Sequence, residues 1–234
     1  MKKIFLISII IFFPCTTIAL SENSDTQYNN KFITQLSKTD FDRMADIEIS
    51  ENIESLKILT LKFYKKNPKE LRKTTSDSPE RMVSWLFHNP HHWKFKEINN
   101  AQDTKAINQA FDINFQGDRV LSLITGLYTM LIKAHNGKKD FNIVDSLDPQ
   151  RLYNTARNIE VVVWKISTEK NKQGKLFFVT NVINDAEQNL SFEREFGKII
   201  ARTDFFANVL SEKKERFITR VLQGASVRLF LPFL

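Results

Sequence analysis

The sequence predicts an all-α protein, an irregular bundle of helices around a central helical hairpin formed by residues 118–134 and 149–167. Three observations favour this fold. Glycine and proline are scarce, at six residues each, whereas phenylalanine occurs 20 times, so helix breakers are few and bulky apolar side chains are many. Apolar residues in both hairpin segments recur at the period of an α-helix. Other stretches of the chain begin with helix-start signals.

The first helix of the hairpin is densely apolar, and we expect neighbouring elements to enclose it. One continuous face at helical spacing is formed by Val120, Leu121, Ile124, Leu127, Tyr128 and Leu131. Gly126 in the middle of this helix has no side chain, which predicts the close approach of another backbone. Asn136 and Gly137 are suited to the left-handed conformation that ends a helix.

The second helix of the hairpin has a clear start. Asp148 is a good N-cap, and Pro149 follows at the first helical position, where its missing N–H is not needed. The face predicted to point inward comprises Leu152, Ala156, Ile159, Val163 and Ile166.

One flank of this second helix is polar and aromatic. Arg157 is placed to stack on Tyr153 and to pair with Glu160, whereas Asn154 and Asn158 are predicted to face solvent or a partner. The candidate ligand or partner surface comprises Tyr128, Tyr153, Asn154, Arg157, Asn158, Glu160 and Trp164. An ordinary half-buried network at the edge of a bundle explains the same pattern.

The remaining helices are predicted from apolar spacing and from the start signals at Asn67-Pro68 and Ser78-Pro79. They lie near residues 51–65, 68–75, 79–87, 192–202 and 205–228, with a short helix at about 105–111. Residues 22–50 are predicted to be a loose lead-in with a weak helical pattern. Residues 51–234 are then a single helical domain.

The first 21 residues have the pattern of a secretory signal peptide. Lys2 and Lys3 precede the apolar run Ile4–Phe13, and small residues before Glu22 predict cleavage there. The leader holds two lysines and no acid, so its removal lowers the net charge from +7 to +5. Cys15 lies where a bacterial lipoprotein cysteine would lie, although Pro14 replaces the expected small residue. Plain export to the periplasm is the prediction, and lipid attachment at Cys15 is the alternative.

Three of the four histidines occur within five residues, at His88, His91 and His92. Histidines that converge can bind a metal ion, which would suit a metal-assisted hydrolase with Glu97 or Asp103 as the base. Pro90 interrupts any helix there, so no pair spaced four residues apart on a helix is presented. The other interpretation is a surface loop that packs inward through the aromatic residues that follow the histidines, Trp93 and Phe95.

The chain ends in an unusually apolar tail. Termini are normally polar, but the candidate docking residues here are Arg228, Leu229, Phe230, Leu231, Phe233 and Leu234. An exposed apolar tail would bind a membrane surface or another envelope protein. A tail that tucks into its own core is the alternative.

Several segments resemble a family of exported, lipoprotein-like envelope proteins of Gram-negative bacteria that has no assigned activity. The resemblance is carried by KNPKELRK (66–73), FDINFQGDRVLSLITGLYTML (111–131), SLDPQRLYNTARNIEVVVWKIS (146–167), NLSFEREFGKII (189–200) and the final LFLPFL. It implies an envelope location and adds no catalytic residue. The chain departs from the lipoprotein pattern at Pro14-Cys15.

The functional prediction is a non-enzymatic helical protein of the envelope, without a cofactor. The sequence contains no Gly-rich phosphate loop, G-x-S-x-G, H-E-x-x-H or EF-hand motif. Basic residues are scattered among acids, and an exported protein meets little nucleic acid, so nucleic acid is not an expected partner. The alternatives are the metal-assisted hydrolase and a protein that binds a lipid or other small ligand between the hairpin helices, in a pocket lined by Tyr128, Tyr153, Arg157 and Trp164.

Overall fold

The computed structural model describes residues 40–88, 90–139, 147–180, 182–183, 188–189, 191–214 and 230–231. Within these ranges the chain is an all-α, multi-helix bundle, which confirms the predicted fold class. The α-helices are α1 (Asp40–Lys66), α2 (Pro68–Thr74), α3 (Pro79–His88), α4 (Asp103–Phe111), α5 (Arg119–Ala134), α6 (Pro149–Thr168) and α7 (Ser191–Lys214). A 3₁₀ turn spans Lys96–Ile98, and β1 (Val182–Ile183) pairs antiparallel with β2 (Gln188–Asn189).

Helix α5 lies at the centre of the bundle. Thirteen of its 16 residues are buried, so it is enclosed on nearly every side, as its broad apolar face predicted. The close approach predicted at Gly126 is confirmed, because a Cβ atom there would lie 2.5 Å from Ile107 Cγ1 and 2.7 Å from the carbonyl oxygen of Asp103. Both of those residues belong to α4. A glycine at this one position therefore allows α4 to pack directly on α5.

The two hairpin helices contact each other, but each packs more extensively against a different helix. Helix α5 packs mainly against α4, whereas α6 packs mainly against α7. Helix α7 in turn packs along α1. Helix α5 also packs against α1, so the hairpin is held in the bundle by α4, α7 and α1.

Helix α1 begins at Asp40, well before the start predicted near residue 51. The prediction failed because the buried face of its first half is not purely apolar. Ala45 and Ile49 are buried there, but so are Asp42, Glu48 and Asn52. Polar residues at these positions hide the helical period that apolar spacing would otherwise show.

The two helices predicted at 192–202 and 205–228 are one continuous helix through residue 204, since α7 runs from Ser191 to Lys214. Thr203 and Asp204, which separate the two predicted ranges, lie on α7 and bind side chains of neighbouring helices. Thr203 Oγ1 lies 2.7 Å from Glu48 Oε1, and Asp204 pairs with Arg157. The predicted segment 215–228 lies outside the described residues.

Two buried asparagines hold extended segments against helices. Asn67 Nδ2 donates to the carbonyl oxygen of Val179 at 2.9 Å, and the Val179 N–H donates back to Asn67 Oδ1 at 2.8 Å. Asn158 on α6 makes the same pair of bonds to Leu231, at 3.1 and 2.6 Å. Each amide thus satisfies both backbone groups of one residue, as a neighbouring strand would. Asn67 is the N-cap of α2 as predicted, but its side chain does not bond within that helix.

Candidate ligand cleft

The loop between α3 and α4 is held against α5 by aromatic side chains. Trp93 stacks on Tyr128, with ring centroids 3.7 Å apart and ring planes 16° apart, and both residues are buried. His91 accepts the Trp93 N–H at Nδ1, over 3.0 Å, and its Nε2 lies 2.9 Å from the Leu86 carbonyl oxygen. The packing of Trp93 and Phe95 into the protein is confirmed. The loop therefore has a defined shape beside the C-terminal half of α5.

A cleft of about 820 Å³ lies beside this loop. Its walls are the loop, the N-terminal end of α4, the C-terminal half of α5 with the residues that follow it, and the start of α6. Tyr128 lines the cleft, as the ligand-pocket hypothesis expected, whereas Tyr153, Arg157 and Trp164 do not. The cleft lies between the hairpin helices, but at one end of them.

The described walls of the cleft carry more basic than acidic side chains. Among the described residues that line it, Lys133, Lys139 and Arg151 are basic, and Asp103 is acidic. Lys133 Nζ lies 2.9 Å from Asp103 Oδ2, and the Arg151 guanidinium donates to Asn136 Oδ1 at 3.0 Å. Three cations around one carboxylate favour an anionic ligand.

Strained backbone is concentrated around the same cleft. Of the eight described residues with positive φ, five line it: His92 (52°), Trp93 (55°), Asp103 (52°), Asn136 (56°) and Gly137 (78°). Left-handed backbone is unfavourable for residues with a side chain, most of all for a bulky one such as Trp. It persists where the surrounding structure imposes it, and it clusters at functional positions.

A second cavity of about 630 Å³ adjoins the cleft. The two cavities share Gln102, Asp103 and Lys133. Asn99 and Asn100, which line the second cavity, also have left-handed backbone, at φ 55° and 53°. The Asp103–Lys133 ion pair thus lies on the boundary between two polar cavities.

Two of the three histidines considered for a metal site are engaged in other ways. Both ring nitrogens of His91 are occupied, and Nδ1 of His88 lies 3.0 Å from the Ser84 carbonyl oxygen. His92 is exposed at the rim of the cleft. Among the residues that the structure describes, no group of three or more His, Cys, Asp or Glu side chains is placed to hold a metal ion. Of the two candidate bases, Glu97 is exposed and Asp103 is paired with Lys133.

The polar flank of α6 forms a bridge to α7. Arg157 lies 3.0 Å from Glu160 Oε1, and its guanidinium carbon is 5.2 Å from the Tyr153 ring centroid, which confirms both predicted contacts. Asp204 of α7 accepts a further bond from Arg157. Burial raises the pKa of Glu160, against the opposing effect of Arg157. Arg157 therefore joins α6 to α7, and Tyr153 and Glu160 contact it from α6.

The predicted exposure of Asn154 and Asn158 was wrong, since both are buried. Asn154 Oδ1 accepts a bond from Gln150 Nε2 at 2.9 Å, and Asn158 binds the backbone of Leu231. The reason is that α6 packs extensively on α7 and that Leu231 lies against Asn158, and neither contact follows from the local sequence pattern. Trp164, the remaining member on α6, is half-buried.

The described part of the apolar tail lies against its own chain. Phe230 packs on the hydrophobic core, and its ring centroid lies 5.9 Å from Lys165 Nζ. The backbone of Leu231 binds the Asn158 side chain. Both tail residues are half-buried. Some candidate docking and lipidation residues lie outside the described residues, namely Cys15, Arg228, Leu229, Phe233 and Leu234.

A buried polar cluster, comprising Glu48, Asn52, His135 and Thr203, joins α1, α5 and α7. His135, the C-cap of α5, is fully buried, and its Nε2 lies 2.6 Å from Glu48 Oε2. The other oxygen of Glu48 accepts bonds from Asn52 at 2.6 Å and from Thr203 at 2.7 Å. His135 Nδ1 lies 2.8 Å from the Leu131 carbonyl oxygen. The cluster ties the end of α5 to both neighbouring helices.

Sequence reasoning missed most of the cleft and all of the buried polar cluster. A signal for the cleft was present, because Lys138 and Lys139 follow the Asn136-Gly137 turn and Arg151 opens α6. For the cluster, Glu48 and Asn52 lie four residues apart on the same face of α1 as Ile49 and Leu56. Polar residues at that spacing within an apolar face indicate a buried polar network.

The chain matches no protein-family model, no curated protein and no solved structure. In the described part of the chain, no helix is both long enough and apolar enough to cross a membrane.

Proposed function

We propose that this chain is a non-enzymatic binding protein that holds a small anionic ligand in the cleft between α4, α5 and α6. One observation carries the proposal: left-handed, non-glycine backbone is concentrated in the walls of a cleft that also carries an excess of cations. Such strain persists where the surrounding structure imposes it, and it clusters at functional positions. Here the groups it places are the His92 imidazole, the Asp103 carboxylate and the Asn136 amide.

Recognition in this cleft depends on charge and on hydrogen bonding. Arg151 presents a planar fork of donors that suits a carboxylate, sulfate or phosphate group. Asn136 orients that fork through its bond at 3.0 Å. Lys139 lies 5.1 Å from the Tyr128 ring centroid, so its ammonium group is held near the mouth of the cleft by the ring. A ligand with one or two anionic groups matches this arrangement.

A binding role fits the cleft better than catalysis. Among the described residues that line it, Asp103 is the one carboxylate, and it is already paired with Lys133. A general base must reach the proton that it abstracts, whereas this carboxylate is held by a cation and by its place on α4. The same pair is well suited to bind a ligand that carries both charges.

We also propose that the protein acts in the bacterial envelope. The supporting features are the basic and apolar leader at residues 1–21 and the resemblance of several segments to exported envelope proteins. Small anionic groups are common on the glycans and lipids of that compartment. Docking through the apolar tail is the alternative role there, and the bond between Asn158 and Leu231 favours a tail that covers its own chain.

Arg151→Gln is the variant that tests the cleft. We expect the wild type to bind inorganic sulfate or phosphate at low ionic strength, and the variant to lose about tenfold or more in affinity, since one charge-assisted hydrogen bond contributes about 1.5–3 kcal/mol. Titration calorimetry measures the affinity. The matched control is Lys170→Gln, which removes an exposed positive charge that does not line the cleft.

Two results would contradict the proposal. One is the absence of anion binding to the wild type, seen both in calorimetry and as an unchanged melting temperature at high anion concentration. The other is an equal loss of affinity in the Arg151 and Lys170 variants, which would mean that binding follows net charge alone.

A further inference from the structure

The cleft is much larger than a simple anion. Its volume is about 820 Å³, and the second cavity, which adjoins it, has about 630 Å³. Cavities of about 300–1,000 Å³ enclose molecules of drug size, whereas a sulfate or phosphate ion is far smaller. Because the two cavities share Gln102, Asp103 and Lys133, a ligand held at Arg151 has room to extend across these residues. This space suits a larger molecule that carries its anionic group at one end.

The second cavity suits a polar part of a ligand rather than an apolar one. Except for Ala101, each described residue that lines it has a polar or charged side chain. These side chains include three amides, from Asn99, Asn100 and Gln102, and the hydroxyl group of Thr104. Amides and hydroxyl groups both donate and accept hydrogen bonds, as the neighbouring hydroxyl groups of a sugar ring do. The acyl chain of a lipid would cover the same groups and leave them without partners, which is unfavourable.

The backbone beside the second cavity has a defined shape that leaves side-chain amides available. The Asn99 N–H donates to the Lys96 carbonyl oxygen at 3.0 Å, and the Asn100 N–H donates to the Phe95 carbonyl oxygen at 2.8 Å. The side chains of Asn99 and Asn100 are exposed and make no hydrogen bond to another described residue. A site whose backbone is already fixed loses less conformational freedom when a ligand binds.

The Asp103–Lys133 ion pair supplies both signs of charge at the boundary of the two cavities. Lys133 Nζ lies 2.9 Å from Asp103 Oδ2, and the Asp103 N–H donates to Thr129 Oγ1 at 2.7 Å, which fixes the start of α4 on α5. Among the described residues, none donates a hydrogen bond to Asp103 Oδ1. A carboxylate oxygen in this state accepts bonds from sugar hydroxyl groups, and an adjacent ammonium group donates to them. The pair can therefore bind neighbouring hydroxyl groups without being separated.

We propose that the ligand is an acidic carbohydrate, with its anionic group against Arg151 in the cleft and its sugar ring across the Asp103–Lys133 pair, extending into the second cavity. This inference rests on the proposed function and names the class of its ligand. The anionic group is either a carboxylate, as in a uronic acid, or a phosphate ester, since the guanidinium fork binds both. The shared feature is a sugar ring that carries an anion.

Calorimetry with matched pairs of ligands tests whether the sugar is recognised. Methyl phosphate is compared with glucose phosphorylated at its primary hydroxyl group, and acetate is compared with glucuronate. Within each pair the anionic group is of the same kind, and one member carries a sugar ring. We expect the sugar compound to bind about tenfold or more tightly in at least one pair, because hydrogen bonds to charged groups add to affinity. That pair identifies the anionic group, and a sugar ring that adds no affinity in either pair would overturn the inference.

Two variants remove groups that line the second cavity and not the cleft. They are Thr104→Ala on α4 and Asn100→Gly, in which glycine keeps the left-handed backbone without strain. We expect each to reduce the advantage of the sugar compound about threefold or more and to leave the affinity for the simple anion unchanged. The matched control is Asn108→Ala, at an exposed position of α4 that lines neither cavity.

An advantage of the sugar compound that stays at its wild-type value in both cavity variants would also overturn the inference. Circular dichroism checks that the variants fold. Since Thr104 lies on α4 and Asn100 precedes it, loss of folding in one variant leaves the other as the test.

The simple anions separate this inference from the proposed function. If methyl phosphate or acetate binds and the sugar ring adds nothing, the anion site stands and the carbohydrate inference fails. If the sugar compounds bind with an affinity that Arg151→Gln does not change, the anion site fails and the sugar alone is recognised. If no member of either pair binds, both proposals fail.

Discussion

The buried carboxyl group of Asp118 accepts hydrogen bonds from residues of three helices, α5, α1 and α2. It is the N-cap of α5, where Oδ1 accepts the Leu121 N–H at 2.9 Å, and Oδ2 accepts the hydroxyl groups of Tyr64 and Thr74 at 3.0 and 2.8 Å. Burial raises the pKa of Asp118 to about 6, and the three hydrogen bonds oppose that rise. Burial also raises the pKa of Tyr64 well above its ordinary value, and the Asp118 charge adds to the effect.

The raised pKa of Asp118 predicts a loss of stability as the pH rises. The folded protein holds this proton up to about pH 6, whereas the unfolded chain releases it near the ordinary pKa of 3.8. The contribution of Asp118 to the free energy of unfolding should therefore fall by about 3 kcal/mol between about pH 4 and pH 6, and stay constant above that. Urea denaturation at several pH values measures it.

Asp118→Asn removes this titration while keeping a good N-cap residue. The variant should lack the fall that the wild type shows between about pH 4 and pH 6. The matched control is Asp112→Asn, at an exposed residue whose carboxylate accepts the Asn114 N–H. If Asp118→Asn leaves the pH profile unchanged, the buried carboxyl group is not its source.

At the scale of single residues, the sequence predicted what depends on close neighbours. The N-cap at Asp148 and the left-handed turn at Asn136 and Gly137 are confirmed, because caps involve residues a few positions apart. The bond between Tyr64 and Asp118 joins residues 54 positions apart, so no local pattern indicates it.

At the scale of helices, the packing of α4 on α5 depends on one position. Gly126 was predicted to allow a close approach, but the partner was not predictable, because α4 is short and has a polar sequence. The same limit explains the late start predicted for α1. Apolar periodicity identifies a helix only where its buried face is apolar. The buried polar cluster places polar residues on the buried face of α1, so the period is not visible there.

Gly126→Ala and Gly197→Ala form a matched pair of helical substitutions. At Gly126 the new methyl group would lie under 3 Å from side-chain and backbone atoms of α4, so we expect a loss of about 2 kcal/mol in the free energy of unfolding. At Gly197 on α7 nothing lies within 4 Å of the new atom, and the better helix propensity of alanine should add up to about 1 kcal/mol. Thermal or urea denaturation measures the change in the free energy of unfolding for both variants. Equal changes would show that α4 does not pack tightly on α5 at Gly126.

At the scale of the whole molecule, remote segments are fastened by asparagine side chains. Asn67 and Asn158 each bind both backbone groups of a residue more than 70 positions away. Phe230 and Leu231 are thereby brought against α6. Held in this way, Phe230 and Leu231 add to the stability of the bundle and present less apolar surface to a membrane or partner.

Fractionation of cells tests the fate of both chain ends. We expect the full-length protein and a version ending at Ser226 to appear equally in the soluble periplasmic fraction, each beginning at Glu22 by mass spectrometry, because Phe230 and Leu231 lie against their own chain. The shortened version should melt at a lower temperature, since it loses the bonds between Asn158 and Leu231. A membrane-bound full-length protein with a soluble shortened one would instead establish docking, and a lipid mass on Cys15 would establish anchoring.

The sequence by itself determined that the chain is helical, where most helices start, and that Gly126 and the Asn136-Gly137 turn have special roles. These properties follow from spacing and backbone preference, which act over a few residues. Only the tertiary structure decided that Asn158 is buried, that Glu48 meets His135, and that cations from three elements surround one cleft. Such contacts join residues that are remote in the chain, and they arise only when the whole bundle has packed.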